Sequence, residues 1–364
     1  MLLGGCGVSL PFFETEEMPV DAGYTLLASH EYKEALDRFM VAVSQGEDSV
    51  ELYRGIGIAN KHLGSYAQAE EAFVHALAGC GGIPGAMTYD TAYYLAETYE
   101  AQNKTEEAIR VYDAILDLSP SQEDALYLRG LAYLSKGDHE HATEDFTSVT
   151  EHKPLQYDRV FAVYDALSGA GYAPEAKRML TDIYTANEAT MTDYEKGRFA
   201  AYLGSLEDAK TYLQKAYDSE DLRTEDKIPI AILLGEVAQE LGDDAYAVSV
   251  YRRYLQEDQS RASIYHALRV CEMRMGSYTD ALSDFQIGLS LNDTDQNPAL
   301  LRGITAAYEY LGNFDLAAEK MAEYLALVPT DEEAQRENIF LTTRMLDAEE
   351  GAGTEPQTIA VDIE

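Results

Sequence analysis

The chain is poor in cysteine, tryptophan and basic residues, and these shortages exclude several classes of protein. Three cysteines in 364 residues, Cys6, Cys80 and Cys271, form neither a disulfide framework nor a zinc-finger pattern. Lysine and arginine total 27 against 65 aspartate and glutamate residues, which gives a formal net charge of −38. A surface of that charge repels phosphate backbones, so we expect no nucleic-acid partner and favour basic proteins or peptides instead.

Long apolar runs and catalytic motifs are also missing. No stretch approaches about 18 consecutive apolar residues, so the sequence predicts no transmembrane helix. It contains no phosphate-cradling glycine loop, no HExxH motif and no nucleophile elbow. His139 and His141 lie beside Asp138 and Glu140 and could suggest a metal site, but a solvated turn is the favoured interpretation. We therefore expect no enzymatic activity, no metal and no cofactor.

What the sequence does contain is a repeat of about 34 residues. In each unit a small residue is followed four positions later by a large apolar one, which places both on one face of a helix. The small residues are Ala35, Ala69, Ala108, Ala142, Ala176, Ala209, Ala247, Ala281 and Ala317, and their partners are Phe39, Phe73, Tyr112, Phe146, Leu180, Leu213, Tyr251, Phe285 and Met321. Seven units have a glycine five positions before the alanine, which is typical of a left-handed residue at a helix end.

This pattern predicts a helix, a tight turn and a second helix in every unit. Its period, its Ala and Phe positions and its closing prolines at Pro120, Pro154 and Pro329 resemble the tetratricopeptide repeat. The resemblance implies an all-α fold, a right-handed α-α superhelix of about nine helix pairs, which binds peptides or protein segments in a concave groove. We expect a tether at residues 1–15, the repeat array at 16–331, a capping helix at 332–348 and a disordered acidic tail at 349–364.

The first helices carry a second pattern, which predicts a ligand-binding groove. Four aromatic residues recur at intervals of 34, 34 and 33, and three of them follow an aspartate by three positions. Aromatic rings beside carboxylates suit a cationic partner, although the same rings could simply pack between helices. The predicted groove residues are Tyr93, Glu97, Tyr127, Phe161, Asp165, Tyr194 and Arg198.

The first residues suggest a membrane anchor. Leu3-Gly4-Gly5-Cys6 resembles a bacterial lipobox, in which the cysteine becomes diacylated, although the preceding residues are too few for an export signal. If the motif is genuine, the natural start lies upstream, and two lipid chains on Cys6 would hold the protein in the bacterial cell envelope. The alternative is a chance match, which would leave a cytoplasmic protein.

These observations lead to one preferred function and two alternatives. We expect a membrane-anchored scaffold for protein–protein interaction, binding a basic segment of another envelope protein. A glycan-binding envelope protein is the first alternative, because tyrosine ladders also stack on sugars. A cytoplasmic adaptor or co-chaperone is the second, and it applies if the written start is real.

Overall fold

The computed structural model describes residues 18–81, 84–152, 157–291 and 297–351. This described part consists of nineteen α-helices and two short 3-10 turns, without a strand. The predicted all-α architecture of nine helix pairs and a last single helix is confirmed. The helices are α1 Pro19–Ala28, α2 Tyr32–Ser44, α3 Val50–His62, α4 Tyr66–Gly79, α5 Ala86–Ala101, α6 Thr105–Leu118, α7 Glu123–Ser135, α8 His139–His152, α9 Tyr157–Gly169, α10 Ala173–Asn187, α11 Asp193–Tyr202, α12 Leu206–Tyr217, α13 Ile228–Glu240, α14 Asp244–Glu257, α15 Ala262–Arg274, α16 Tyr278–Ser290, α17 Asn297–Tyr310, α18 Phe314–Leu327 and α19 Glu332–Gly351.

The chain divides into two compact units, which we call unit 1, up to Met179, and unit 2, from Leu180 onward. The division falls within α10. In each unit the helices alternate between a first and a second helix of a pair, and a second helix packs against both its own first helix and the first helix of the next pair. The last helix runs three residues beyond the predicted end at 348, since Glu349 and Glu350 favour the helix.

The alanine-and-aromatic pattern forms the core of the repeats. All nine alanines have no exposed surface, and all nine partners four positions later are at most 1% exposed. Several partners lie directly against a glycine of the first helix in the same pair. A Cβ added at Gly57 would overlap the ring of Phe73, and one at Gly130 would overlap the ring of Phe146. The glycines therefore set the close approach of the two helices.

The turn inside each pair uses a residue with positive φ. The seven predicted glycines all adopt φ between 73° and 93°. In the two remaining pairs the same position, five residues before the alanine, is occupied by His30 (φ 61°) and Asn103 (φ 58°). Every pair thus makes the same left-handed turn, and two of them accept a side chain that disfavours it.

Two charge clusters, each with one buried carboxylate, connect neighbouring helix pairs, one in each unit. In unit 1, Arg129 on α7 lies between two acids, with Nη1 2.6 Å from Asp113 Oδ1 and Nη2 2.7 Å from Asp145 Oδ1. In unit 2 the arrangement is reversed, and Arg252 on α14 faces two acids that adjoin each other. Its Nη2 lies 2.7 Å from Oε1 of Glu272 on α15 and 3.9 Å from Oδ2 of Asp284 on α16.

The buried carboxyl of Glu272 is 2% exposed, and burial is the main reason that its pKa rises to about 7, with the charge of Asp284 adding to the shift. The pKa of Asp284 is raised as well, again mainly by burial. The neighbouring Cys271 is fully buried as a small core residue, and burial raises the pKa of its thiol to about 12.

Candidate functional site

The candidate site is the side of each first helix that carries the predicted aromatic and the residues four and seven positions after it. We call this side the first-helix face. On α5 it comprises Tyr93, Glu97 and Glu100, and on α7 it begins with Tyr127. The predicted groove residues therefore lie on four consecutive helix pairs at matching positions, but their surroundings differ from pair to pair.

The Tyr127 position already binds a guanidinium from the chain itself. Cζ of Arg159, on α9, lies 4.5 Å from the centroid of the Tyr127 ring. The same guanidinium donates a hydrogen bond to Asp124 and lies near Glu123, with Nε 3.7 Å from Oε1. An aromatic ring beside carboxylates is the geometry that favours a cation. At this position the ring and the carboxylates therefore hold a cation that belongs to the chain itself.

A similar arrangement occurs at the start of the array, around Arg54 on α3. Its Nε donates to Asp90 Oδ2 on α5 at 2.8 Å, and its Nη1 donates to the hydroxyl of Tyr24 at 3.2 Å. Cζ of Arg54 lies 5.6 Å from the centroid of the Tyr94 ring. Both Asp90 and Asp124 therefore pair with an arginine from an adjacent first helix, so neither is an uncompensated carboxylate.

The other predicted groove residues fall into two groups. Phe161 is 2% exposed and lies in the packed interior, so its position corresponds to the packing alternative. Tyr93 is half-buried with its ring centroid 6.5 Å from that of Tyr112, and burial raises its pKa. Glu97 is exposed and pairs with Lys61, Nζ to Oε2 at 2.6 Å. Asp165 is exposed on α9.

On α11 two predicted residues lie together in unit 2. Cζ of Arg198 is 5.6 Å from the centroid of the Tyr194 ring, and both side chains are half-buried. Tyr194 also packs against the apolar core of this unit and lines a cavity of about 390 Å³. The predicted lipidation residue Cys6 lies outside the described residues.

Three glutamates lie on the first-helix face, of which the repeat spacing indicates Glu100 while Glu236 and Glu309 were missed. Glu100 and Glu236 are exposed and Glu309 is half-buried, and partial burial raises the pKa of all three. Among the described residues, none of the three forms an ion pair; Glu100 accepts a hydrogen bond from the Tyr112 hydroxyl. Carboxylates that have lost part of their hydration without gaining a counterion attract an incoming cation more strongly than fully hydrated ones.

The ion pairs that fill parts of this face have a signal in the sequence. They join residues that are about one repeat apart in the sequence. Arg54 and Asp90 are 36 positions apart, and Arg159 and Asp124 are 35 positions apart. A search for opposite charges one period apart would have found both arginines. The raised pKa of the glutamates has no such signal, because it depends on how neighbouring first helices shield them from water.

Of the two histidines of the suggested metal site, His139 contacts the next helix pair and His141 contacts its own pair. His139 Nε2 lies 2.6 Å from Glu175 Oε2, and its ring stacks on Tyr172 with centroids 3.7 Å apart. His141 Nδ1 lies 2.8 Å from Asp138 Oδ2. Within the described ranges no group of three or more His, Cys, Asp or Glu side chains could hold a metal ion.

Comparison with protein families gives one match. The family model for the tetratricopeptide repeat matches residues 93–150. A tetratricopeptide repeat and J domain-containing co-chaperone, DNJ1, from Fusarium oxysporum f. sp. lycopersici is 30% identical over 137 residues, which is 34% of this chain and 24% of that protein. A tetratricopeptide repeat protein 21 homolog from Caenorhabditis briggsae is 24% identical over 143 residues, 38% of this chain and 11% of that protein. The chain thus spans no more than about a quarter of these relatives.

Solved structures show a more distant likeness. A tetratricopeptide repeat protein from Parabacteroides merdae is 16% identical, with a TM-score of 0.39, covering 70% of this chain and 97% of that one. MamA residues 41 to the end, from Desulfovibrio magneticus RS-1, are 19% identical with a TM-score of 0.39, covering 47% of this chain and 94% of that one. In the described part of the chain, no α-helix combines the length and apolar character needed to cross a bilayer.

Proposed function

Because the chain is a tetratricopeptide repeat protein, we propose that it is a scaffold for protein–protein interaction whose first-helix face binds a basic segment of a partner. One observation carries the proposal: Glu100, Glu236 and Glu309 occupy matching positions on first helices, and none of the three forms an ion pair with a described residue. Glu100 and Glu236 are exposed and Glu309 is half-buried, and the partial loss of hydration raises the pKa of each. A partner lysine or arginine would supply the missing counterion. The net charge of −38 attracts the same partners from a distance.

The arginines that the face already holds support this chemistry. At Tyr127 the ring and the carboxylate of Asp124 bind the guanidinium of Arg159, which shows the kind of group that such a position accommodates. A guanidinium suits the site better than an ammonium, because it is planar and can stack on a ring while it donates to a carboxylate. We therefore expect arginine-rich segments to bind more tightly than lysine-rich ones.

The test is a titration of the full chain with a labelled arginine-rich peptide at low and at high salt. Binding should weaken steeply as ionic strength rises, because the contact is electrostatic. The double variant Glu236→Gln with Glu309→Gln should weaken it further at low salt. A matched double variant on exposed positions of second helices, Glu207→Gln with Glu319→Gln, has the same change in charge and should leave the affinity nearly unchanged.

Three results would contradict the proposal. If both double variants weaken binding equally, the peptide responds to overall charge and the first-helix face has no particular part in it. If the chain binds soluble glycans with little dependence on salt and does not bind the basic peptide, the glycan-binding alternative replaces the scaffold. Binding of chaperone-derived segments, without preference for basic ones, would instead favour the co-chaperone alternative.

We further propose that a lipid on Cys6 anchors this scaffold in a bacterial envelope. The support is the motif Leu3-Gly4-Gly5-Cys6, which lies outside the described residues. The mass of the amino-terminal peptide of the natively expressed protein tests it. A diacylated or triacylated Cys6 is the expected result, and an unmodified Met1 or Leu2 terminus would overturn the anchor while leaving the binding proposal untouched.

A further inference from the structure

The cavity beside Tyr194 differs from the ordinary surface of the repeats because an insertion builds part of it. The repeat that contains α12 is followed by a longer spacing of 38 residues between the alanines Ala209 and Ala247. The extra residues form the segment 218–227, which ends in a 3-10 turn at Thr224–Lys227. Ser219, Leu222 and Asp226 of this segment line the cavity, together with residues of α11, α12 and α13.

The floor of the cavity is apolar. It consists of the Tyr194 ring, Ala216 at the end of α12, Leu222 of the insertion and Ile230 at the start of α13. Tyr194 and Leu222 pack against the core of unit 2 on their other side, and Ile230 is 2% exposed, so the floor is supported from below. A volume of about 390 Å³ is within the range of pockets that hold a side chain or a small ligand.

The rim is acidic. The segment 218–227 contains five acidic residues and two basic ones. Its Arg223 is held within the segment, since Nε donates to Asp226 Oδ2 at 2.9 Å. Asp193, Glu220 and Asp221 are exposed, and none of the three forms an ion pair with another described residue. Lys215 is the one cation among the described residues that line the cavity.

From this combination we propose that the cavity is an anchor site for one aromatic side chain of a basic protein segment, with flanking arginines on the acidic rim. The apolar floor takes the ring, and the flanking cations are attracted by Asp193, which lines the cavity, and by the exposed Glu220 and Asp221 of the segment 218–227. The charge of the rim selects this partner over an acidic or neutral one, since an acidic neighbour would meet three uncompensated carboxylates. The inference rests on the proposed function and names a second contact for the same partner class.

The probes are three labelled peptides that share one scaffold and differ at a central triplet: Arg-Phe-Arg, Arg-Ala-Arg and Glu-Phe-Glu. The full chain should bind the first at least about tenfold more tightly than either of the others. Ser219→Phe fills the cavity from the insertion and should remove this preference, so that Arg-Phe-Arg and Arg-Ala-Arg bind alike. Leu222→Ala removes part of the floor at a partly exposed position and should reduce the preference without a risk to folding.

The chain offers a matched control in unit 1. Ala114 lines a groove of about 350 Å³ between α4, α5 and α6, and Ala114→Phe fills that groove in the same way. It should leave the preference for Arg-Phe-Arg intact. Thermal unfolding of each variant establishes that it folds.

The outcomes separate the anchor site from the scaffold proposal. If Arg-Phe-Arg and Arg-Ala-Arg bind the unaltered chain equally and Glu236→Gln with Glu309→Gln weakens both, the scaffold stands and the anchor site is wrong. The same conclusion follows if Ser219→Phe and Ala114→Phe have equal effects. If Glu-Phe-Glu binds as tightly as Arg-Phe-Arg, the rim does not select basic segments and the proposed partner class is wrong.

Discussion

Replacing Glu272 by glutamine should stabilise the protein at alkaline pH and have little effect at acidic pH. The carboxyl group of Glu272 is buried beside Asp284, and Arg252 is the single cation within 4 Å of the pair among the described residues. Asp280 lies near Arg252 and adds a further negative charge on α16. Two carboxylates that share one guanidinium in a buried site hold a proton more tightly than either would in water.

The magnitude follows from the shift in pKa. The pKa of Glu272 rises from 4.5 to about 7. This rise lowers the unfolding free energy by about 3 kcal/mol at pH values above both pKa values, where the carboxyl group is charged in the folded and the unfolded chain. For an acid whose pKa is higher in the folded state, the folded chain binds more protons, so stability rises as the pH falls through this window and is constant below it. Glutamine carries no charge, so the chain no longer has to bury a charged carboxylate at this position. The substitution also removes the charged hydrogen bond from Arg252, which is worth about 1.5–3 kcal/mol.

The assay is urea unfolding of the natural chain and of Glu272→Gln at about pH 8.5 and at about pH 4.5. The difference in unfolding free energy between the two chains should change by up to about 3 kcal/mol across this range, in favour of glutamine at the higher pH. Hydrogen exchange of amides on α15 should show the change locally, because it reports the opening of individual segments.

Asp145→Asn is the matched control, because Asp145 is also buried but has Arg129 between it and the other acid. It should destabilise the chain at about pH 8.5 by about 1–3 kcal/mol. A difference between the natural chain and Glu272→Gln that is the same at both pH values would refute the reasoning.

Three further substitutions test the packing. His30→Gly should raise the unfolding free energy by about 0.5–1 kcal/mol, because φ is 61° there, and an unchanged or lower melting temperature would contradict this. Gly130→Ala should lower it by about 1–3 kcal/mol by pressing on the Phe146 ring, and a neutral result in thermal unfolding would show that the ring can move aside. Phe161→Ala should cost about 3–5 kcal/mol, more than Tyr127→Ala, and full helicity by circular dichroism together with lost peptide binding would restore Phe161 to the ligand surface.

The repeat pattern predicted the fold because its signals are local. The spacing of Ala69 and Phe73 places them on one helical face whatever surrounds them, and a glycine such as Gly64 marks a left-handed turn from its backbone freedom alone. The same rule failed to mark the turns at His30 and Asn103, where the repeat imposes the conformation on a side chain that disfavours it.

The candidate site was less accessible to prediction because it depends on neighbours. Phe161 matches the period of Tyr93 and Tyr127, and only the packing around α9 shows that it is buried. The cavity beside Tyr194 depends on how the segment 218–227 comes to lie beside α11 and α13, which the repeat spacing alone does not predict. In both cases the property that matters is exposure to solvent, which cannot be predicted from a single position in the sequence.

The ion pairs within the chain also determine the net charge that its surface exposes to solvent. More than half of the 27 lysines and arginines already have an acidic partner within the described residues, so few cations remain to interrupt the negative surface. In solution such a molecule behaves as a polyelectrolyte with its own atmosphere of counterions, which many basic proteins can displace. Charge then determines the association rate of basic partners. Which partners stay bound is determined by the few apolar contacts within the negative surface.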